Sequence, residues 1–201
     1  MEDQSKVWDK IAPEWYEFKM EKKAIHTKEF LKKQKGKILD LGSGSGRYLQ
    51  KIPKGKMYLV DFSKEMLKLA KKKAKKEKVD AEFFVSDMEK LPFEDNFFDG
   101  AISIAALHCV KGKIKRKKIL KELLRVLKPK AQAQIGIWNF DSKRFKNAPK
   151  QKFVAWRDKG KRYYYLYTKD EIYKEIEQIG FKITFKENPS FAMINFIVQK
   201  K

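Results

Sequence analysis

The chain has 201 residues, 42% of them hydrophobic, enough for one domain with a full core and too little for a second independent one. No run of about 18 apolar residues occurs, which excludes a membrane-spanning helix; the single cysteine, Cys109, excludes an internal disulfide, and no Cys/His cluster has metal-ligand spacing. Lys and Arg number 48 against 26 Asp and Glu, and a formal net charge of +22 repels itself in a compact chain and attracts polyanions, nucleic acid first among them.

Residues 1–34 read as an N-terminal helical cap, with Val7, Trp8 and Ile11, then Trp15, Tyr16 and Phe18 around Pro13. The first residues lack the basic-then-apolar order of a signal peptide, so a soluble, cytoplasmic protein is expected. Residues 37–41 form a short apolar strand that runs into a glycine loop, and a helix is expected to start near Gly46. A second strand, 57–60, ends at Asp61. Ser63 then caps a helix whose inward stripe is Met66, Leu67, Ala70 and Ala74. A third strand, 81–85, ends near Asp87. A fourth, 98–105, is a nearly unbroken apolar run, as a central parallel strand requires.

The next helix places Ile114, Ile119, Leu120, Leu123, Leu124 and Leu127 inside and stops at Lys128-Pro129. A fifth strand covers 133–138. Residues 143–167 read as a basic and aromatic insertion. Thr168 and Glu171 make a capping box for a helix with Ile172, Ile176 and Ile179 inside and Gly180 behind it. Strands at 181–186 and 193–199 close the chain, and only Glu187-Asn188-Pro189-Ser190 and their neighbours separate them, which predicts an antiparallel hairpin.

Strand and helix alternate, so the fold class is α/β: one domain over 1–201, a doubly wound, Rossmann-like and mostly parallel sheet with helices on both faces and an antiparallel terminal hairpin. Ligands of such sheets bind at the carboxyl ends of the strands where strand order reverses. Asp40, Asp61, Asp87 and the loop after Ile104 are predicted at those ends.

Three motifs there carry chemistry. In Asp40-Leu41-Gly42-Ser43-Gly44-Ser45-Gly46 the glycines let a ligand approach the main chain. The spacing is G-x-G-x-G, not the G-x-G-x-x-G of dinucleotide sites, which disfavours a nicotinamide oxidoreductase. The acid before the first glycine suits a ligand that brings a sulfonium and an ammonium instead of a pyrophosphate. Asp61, at the end of the next strand and followed by Phe62, can accept from both ribose hydroxyls, or simply end the strand. Asp87 can accept from an adenine amino group while Met88 covers the ring, or cap a helix.

Together the Asp-Leu-Gly-Ser-Gly-Ser-Gly loop, Val60-Asp61-Phe62-Ser63, Asp87 with Leu91-Pro92-Phe93, Phe97-Phe98-Asp99 and Arg125-Val126-Leu127-Lys128-Pro129 resemble the class I S-adenosylmethionine-dependent methyltransferases. The resemblance implies a seven-stranded sheet and S-adenosylmethionine held by Asp40, Gly42, Ser43, Gly44, Gly46, Asp61, Phe62, Asp87, Met88 and Ile104. A narrower likeness lies in Val7-Trp8-Asp9-Lys10-Ile11-Ala12-Pro13, in 102–108 and in Arg162-Tyr163-Tyr164-Tyr165-Leu166-Tyr167. These stretches are similar to the tRNA wobble-uridine carboxymethyl methyltransferases, which implies methyl esterification of 5-carboxymethyluridine in the tRNA anticodon loop and a small zinc-containing activator subunit.

Methyl transfer is an in-line displacement that needs positioning more than acid–base help, and a carboxylate acceptor is ionised at neutral pH. His108 is the one titratable candidate for a catalytic role, with substrate hydrogen bonding or a satisfied strand-end histidine as the alternatives. Within 143–162, nine Lys and Arg face one acid, Asp158. Lys159, Lys161 and Arg162 are candidate phosphate contacts and Tyr163 and Tyr165 candidate stacking rings, unless the tyrosines pack a strand face. The eight lysines of 64–78 read as a solvated helix face, with an RNA contact as the alternative. A small-molecule methyltransferase with the same cofactor pocket and a non-catalytic RNA-binding protein of this fold remain as alternatives.

Overall fold

The computed structural model describes residues 2–20, 25–188 and 192–201. Two helices, α1 (Gln4–Met20) and α2 (Ile25–Lys32), precede strands β1 (Lys37–Leu41) and β2 (Lys56–Asp61). Then come α3 (Lys64–Glu77), β3 (Ala81–Val85), β4 (Phe98–Ile104), α4 (Lys113–Val126) and β5 (Leu127–Trp138). A ribbon of β6 (Gln151–Ala155) and β7 (Lys161–Tyr165) leads to α5 (Lys169–Ile179) and to β8 (Phe181–Lys186) and β9 (Met193–Lys200).

Seven strands form one sheet in the order β3-β2-β1-β4-β5-β9-β8. The chain builds outward from β1 to β3 and then crosses back to lay β4 on the other side of β1, which puts the reversal between β1 and β4. β9 alone runs against its neighbours β5 and β8, so the expected terminal hairpin is present. Pro189 and Ser190 of its connection lie outside the described residues.

Both faces of the sheet are covered, which is why the central strands read as continuous apolar runs. Ile38, Met57, Leu59 and Ile102 pack against Leu67, Ala70 and Ala74 of α3 and against Phe30 and Leu31 of α2. Leu39, Leu41, Tyr58, Val60 and Ala101 turn to the other face, under Ile119, Leu120 and Leu123 of α4 and Ile172 and Ile176 of α5. Ser63 caps α3 as expected, its hydroxyl accepting from the Met66 amide. Among the described residues no helix is long and apolar enough to cross a membrane.

Four expectations need correction. No helix starts near Gly46. Gly42, Gly44 and Gly46 all take positive φ (74°, 53° and 73°), and the segment closes in single turns from Gly46 N to Ser43 O and from Leu49 N to Gly46 O, so a helical run cannot build. Ile114 is 85% exposed, on the outer side of α4. β5 begins at Leu127, directly after α4, and its first residues flank β4 where Leu127 pairs with Phe98. The capping box at α5 is half made: Thr168 accepts from the Glu171 amide, but the Glu171 carboxylate bonds Lys150 and the Tyr165 hydroxyl.

Gly46 is the turn that fixes the loop against α3. A Cβ there would lie 3.1 Å from that of Ala70, on a backbone that L side chains avoid. Gly46→Ala is expected to lower stability by about 1–2 kcal/mol in urea unfolding; an unchanged midpoint would show that the loop relaxes freely.

Candidate active site

A cavity of about 440 Å³ opens at the carboxyl ends of β1, β2, β3 and β4. Gly42, Ser43, Gly44 and Ser45 line it after β1, Asp61 and Phe62 after β2, Asp87 and Met88 after β3, and Ile104 with the two alanines behind it after β4. Of the ten residues expected to hold a cofactor, these include eight. Asp40 and Gly46 lie just behind the lining; Asp40 is buried and Gly46 turns toward α3. Ala105 sits at the cavity wall with φ of 61°, a left-handed conformation held by its amide bond to Gly136 O.

The glycine loop is organised by a carboxylate. Asp61 accepts from the Gly44 amide at 2.8 Å and from the Ser63 amide at 2.9 Å. Burial pushes its pKa up to about 6, against the downward pull of those two amides. Asp40 is costlier. Burial and the neighbouring Asp61 push it up to about 8, Lys73 opposes them, and its Oδ2 has no hydrogen-bond partner. Lys73, itself buried on α3, donates to Gly46 O at 2.6 Å and so anchors the far side of the loop.

The lining fits an adenosyl-methionine ligand on the chain's own evidence. A Cβ on Gly44 would meet nothing within 4 Å, so the main chain there faces open space. The Ser43 hydroxyl on the wall is buried without a partner, as is Asp40 Oδ2 behind it. Buried polar atoms seldom stay unsatisfied, so these two call for a ligand that donates hydrogen bonds and carries positive charge. Phe62, Met66, Met88 and Ile104 supply apolar walls for a flat ring.

Helix α1 roofs the cavity with Gln4, Trp8 and Trp15. Asp9 fixes the roof to the floor: its carboxylate accepts from the Ser63 hydroxyl at 2.5 Å and from the Glu65 amide at 3.2 Å. A continuous path of bonds thus runs from α1 through Asp9, Ser63 and Asp61 to Gly44. The sequence marked Trp8 and Trp15 as helical but gave no direction for them, and the cavity cations Arg47, Lys111 and Lys115 went unmarked because no motif contains them.

His108 stands beside the cavity's edge but not in its lining. It is 1% exposed, accepts from the Trp138 amide through Nδ1 at 3.2 Å and stacks on the Trp138 ring. That bond leaves the proton of the neutral ring on Nε2. These contacts fit the satisfied strand-end histidine, the alternative to a catalytic His108.

Two of the contacts expected in the basic and aromatic insertion are corrected. Arg162 and Tyr163 are buried, so neither reaches a phosphate or a base from the surface. Arg162 lies 4.9 Å from the ring centres of Trp15 and Trp156 and donates to the Tyr164 hydroxyl. Tyr163 packs on Phe153 and bonds Gln151. Tyr165 is half-buried with Arg116 over its ring. Lys159 pairs with Glu14 of α1 at 2.6 Å, and Lys161 is exposed beside Gln4.

The "Methyltransferase domain" family model matches residues 39–135. The chain is 38% identical over 101 residues to the tRNA (carboxymethyluridine(34)-5-O)-methyltransferase of Arabidopsis thaliana, covering 50% of this chain and 24% of that one. It is 32% identical over 182 residues to an uncharacterized protein of Methanocaldococcus jannaschii, covering 88% and 81%. Among solved structures, an S-adenosylmethionine-dependent methyltransferase of Aquifex aeolicus superposes over both whole chains with a TM-score of 0.68 at 24% identity. The chain described as a methyltransferase in a complex with the Haloferax volcanii Trm112 methyltransferase activator superposes with a TM-score of 0.74 at 18% identity, over 98% of this chain and 96% of that one. The chain spans only about a quarter to a third of the length of the tRNA methyltransferases it matches first.

Asp9→Ala removes the bonds that tie α1 to the head of α3. It is expected to cost about 1–2 kcal/mol and to raise hydrogen exchange across residues 4–20; exchange equal to that of the unaltered protein would show that the roof is held by its tryptophans alone.

Proposed function

We propose that the chain, which carries a methyltransferase domain, is a class I S-adenosylmethionine-dependent methyltransferase that acts on tRNA, esterifying a 5-carboxymethyluridine at the wobble position. One observation carries the methyl-transfer reading into this chain's own residues: an open glycine loop in and beside which two buried polar atoms, Ser43 Oγ and Asp40 Oδ2, lack partners. When bound, S-adenosylmethionine supplies a methyl group already activated on a sulfonium. In this proposal Asp61 accepts from the ribose, Asp87 and Met88 hold the adenine, and Asp40 lends negative charge behind the loop. Gly42 and Gly44 let the methionine part lie on the main chain.

Arg47, Lys111 and Lys115 border the remaining volume and match an anionic acceptor. A carboxylate acceptor needs no general base, which agrees with the burial of His108. Trp8 and Trp15 exclude water and, with the walls, align the acceptor for in-line attack. Support for tRNA comes from the named relative and from the +22 charge. The fold shared with the Haloferax chain supports a small zinc-containing activator as partner, and the cytoplasm as the place of action belongs to the same proposal.

The site has a pH signature. Asp40 and Asp61 keep protons in the folded protein at pH values where the unfolded chain has lost them, because both pKa values are raised from 3.8, to about 8 and about 6. Their contribution therefore makes the ligand-free protein less stable as pH rises from about 4 through about 8. A cationic ligand favours the ionised forms. The melting-temperature gain from S-adenosylmethionine is expected to be larger at pH 8.5 than at pH 5.5, and Asp61→Ala to weaken binding at least tenfold, to the order of a lost charged hydrogen bond. A gain independent of pH, with unchanged affinity in the variant, would remove both carboxylates from the site.

The acceptor is tested by incubating the chain, with and without an activator of the Trm112 type, with labelled S-adenosylmethionine and tRNA carrying 5-carboxymethyluridine. Nucleoside mass analysis is expected to show its methyl ester. Label in another nucleoside would reassign the substrate, and label only in added small molecules would reject tRNA.

A further inference from the structure

We infer that the outer face at the start of α4 is a docking surface for nucleic-acid phosphates flanking the nucleotide that enters the cavity; this rests on the nucleic-acid reading above. Lys111, Lys113, Lys115, Lys117 and Lys118 fall within eight residues, with Ile114 among them. Three independent features single this face out.

Its charge runs against what the helix itself favours. A helix start favours acids, because its amides carry partial positive charge. α3 follows that rule with Glu65 behind a Ser63 cap, and α5 with Asp170 and Glu171 behind Thr168. α4, like α1 and α2, has no acid in its first turn; what sets it apart among the described helices is that it opens with three basic residues, Lys113, Lys115 and Arg116, and has no side-chain cap at Gly112. Local stability does not explain lysines here. Nearby acids offset them only partly: Glu89 lies 3.1 Å from Lys115 and 3.9 Å from Lys118, and Glu175, buried on α5, feels Arg116, Lys113 and Lys117.

The face also carries a misplaced apolar group. Ile114, at 85%, is the most exposed of the large hydrophobic side chains among the described residues. A ribose or an unstacked base laid on it would remove it from water, as single-stranded loops allow. A lipid surface would want several such side chains, and Ile114 stands alone on this helix.

Lastly, the face is continuous with the reaction cavity. Lys111 and Lys115 are part of its lining, whereas of the lysine-rich α3 only Met66 lines it. The lysines of α3, the buried Lys73 apart, are therefore a solvated face, whereas Lys111 and Lys115 lead from the start of α4 toward the acceptor.

The test compares three proteins: the unaltered chain, Lys113→Gln/Ile114→Ala/Lys117→Gln, and a control on α3, Lys72→Gln/Lys75→Gln/Lys76→Gln. None of these residues lines the cavity. Dissociation constants for tRNA are measured across a salt series, and calorimetry with S-adenosylhomocysteine reports the cofactor pocket. The α4 variant is expected to bind tRNA at least tenfold more weakly at 0.1 M salt, with a salt slope reduced by about 2 for two lost phosphate contacts. The α3 control should keep most of its slope, and all three should bind S-adenosylhomocysteine alike. An α4 variant with the unaltered slope overturns the surface while leaving the function standing. No salt-dependent tRNA binding by the unaltered chain overturns the nucleic-acid reading itself. Binding to anionic vesicles that the α4 changes abolish, with tRNA binding intact, would assign the face to lipid and reject the inference. If the triple variant loses the cofactor pocket, Lys113→Gln/Lys117→Gln alone reads out the same slope.

Discussion

Two carboxylates sit out of water at the ends of adjacent parallel strands, and the surrounding structure is built around the cost of keeping them there. Asp61 is stabilised by main-chain amides on both sides, from Gly44 in one loop and Ser63 in the next. Asp40, one strand over, lacks that help; it has Lys73 at a distance and an unpartnered oxygen. Burying a charge without a partner is expensive enough that the group holds its proton instead. Asp40, raised to about 8, is thus held short of its charged form at neutral pH, while Asp61, raised only to about 6, is not. The glycines follow from the same constraint. Gly44 must turn its amide back to Asp61 while leaving its other face bare, and a positive φ without a side chain does both.

The roof is coupled to this arrangement. Because Asp9 shares Ser63 with Asp61, a shift of the floor is felt in α1. At its other end α1 is fixed by Glu14, which takes the Trp156 indole N–H and pairs with Arg157 and Lys159 of the ribbon turn. Between the two anchors Trp8, Trp15 and Trp156 enclose the Arg162 guanidinium. A buried cation among aromatic faces keeps part of its electrostatic stabilisation through their π-systems. The ribbon therefore serves first as a buttress for the roof, and its aromatic content reflects packing on both of its sides.

That is the point where sequence reading fell short, and the reason is physical. Alternating tyrosines announce a strand but not whether one face is left open; here Tyr163 and Tyr164 point to opposite sides and both are covered. The parallel strands were legible because burial on both faces removes alternation and leaves plain apolar runs, as in Ile38-Leu39 and 98–104. The cofactor loop was legible because few residues tolerate its backbone. The helix expected at Gly46 failed for that same reason: a third positive φ ends any helical run before it starts. His108 looked catalytic because it stands at the correct edge of the sheet. One residue past Leu107, in a tight turn, its ring stacks on Trp138 and takes no part in the cavity lining.

The charge now divides into parts with different causes. A formal +22 could be written evenly over a surface with no functional meaning, and α3 fits that description: capped, with an acid at its start and basic residues at its end where the helix dipole welcomes them. α4 does not fit it. Its lysines crowd the end where the dipole opposes them, around an isoleucine that the helix periodicity predicts to be inside. A sequence drifting toward lysine would fill sites where lysine costs least. Cations placed where they cost more, beside a cavity that already presents Lys111 and Lys115, are better explained by something anionic that approaches from that side.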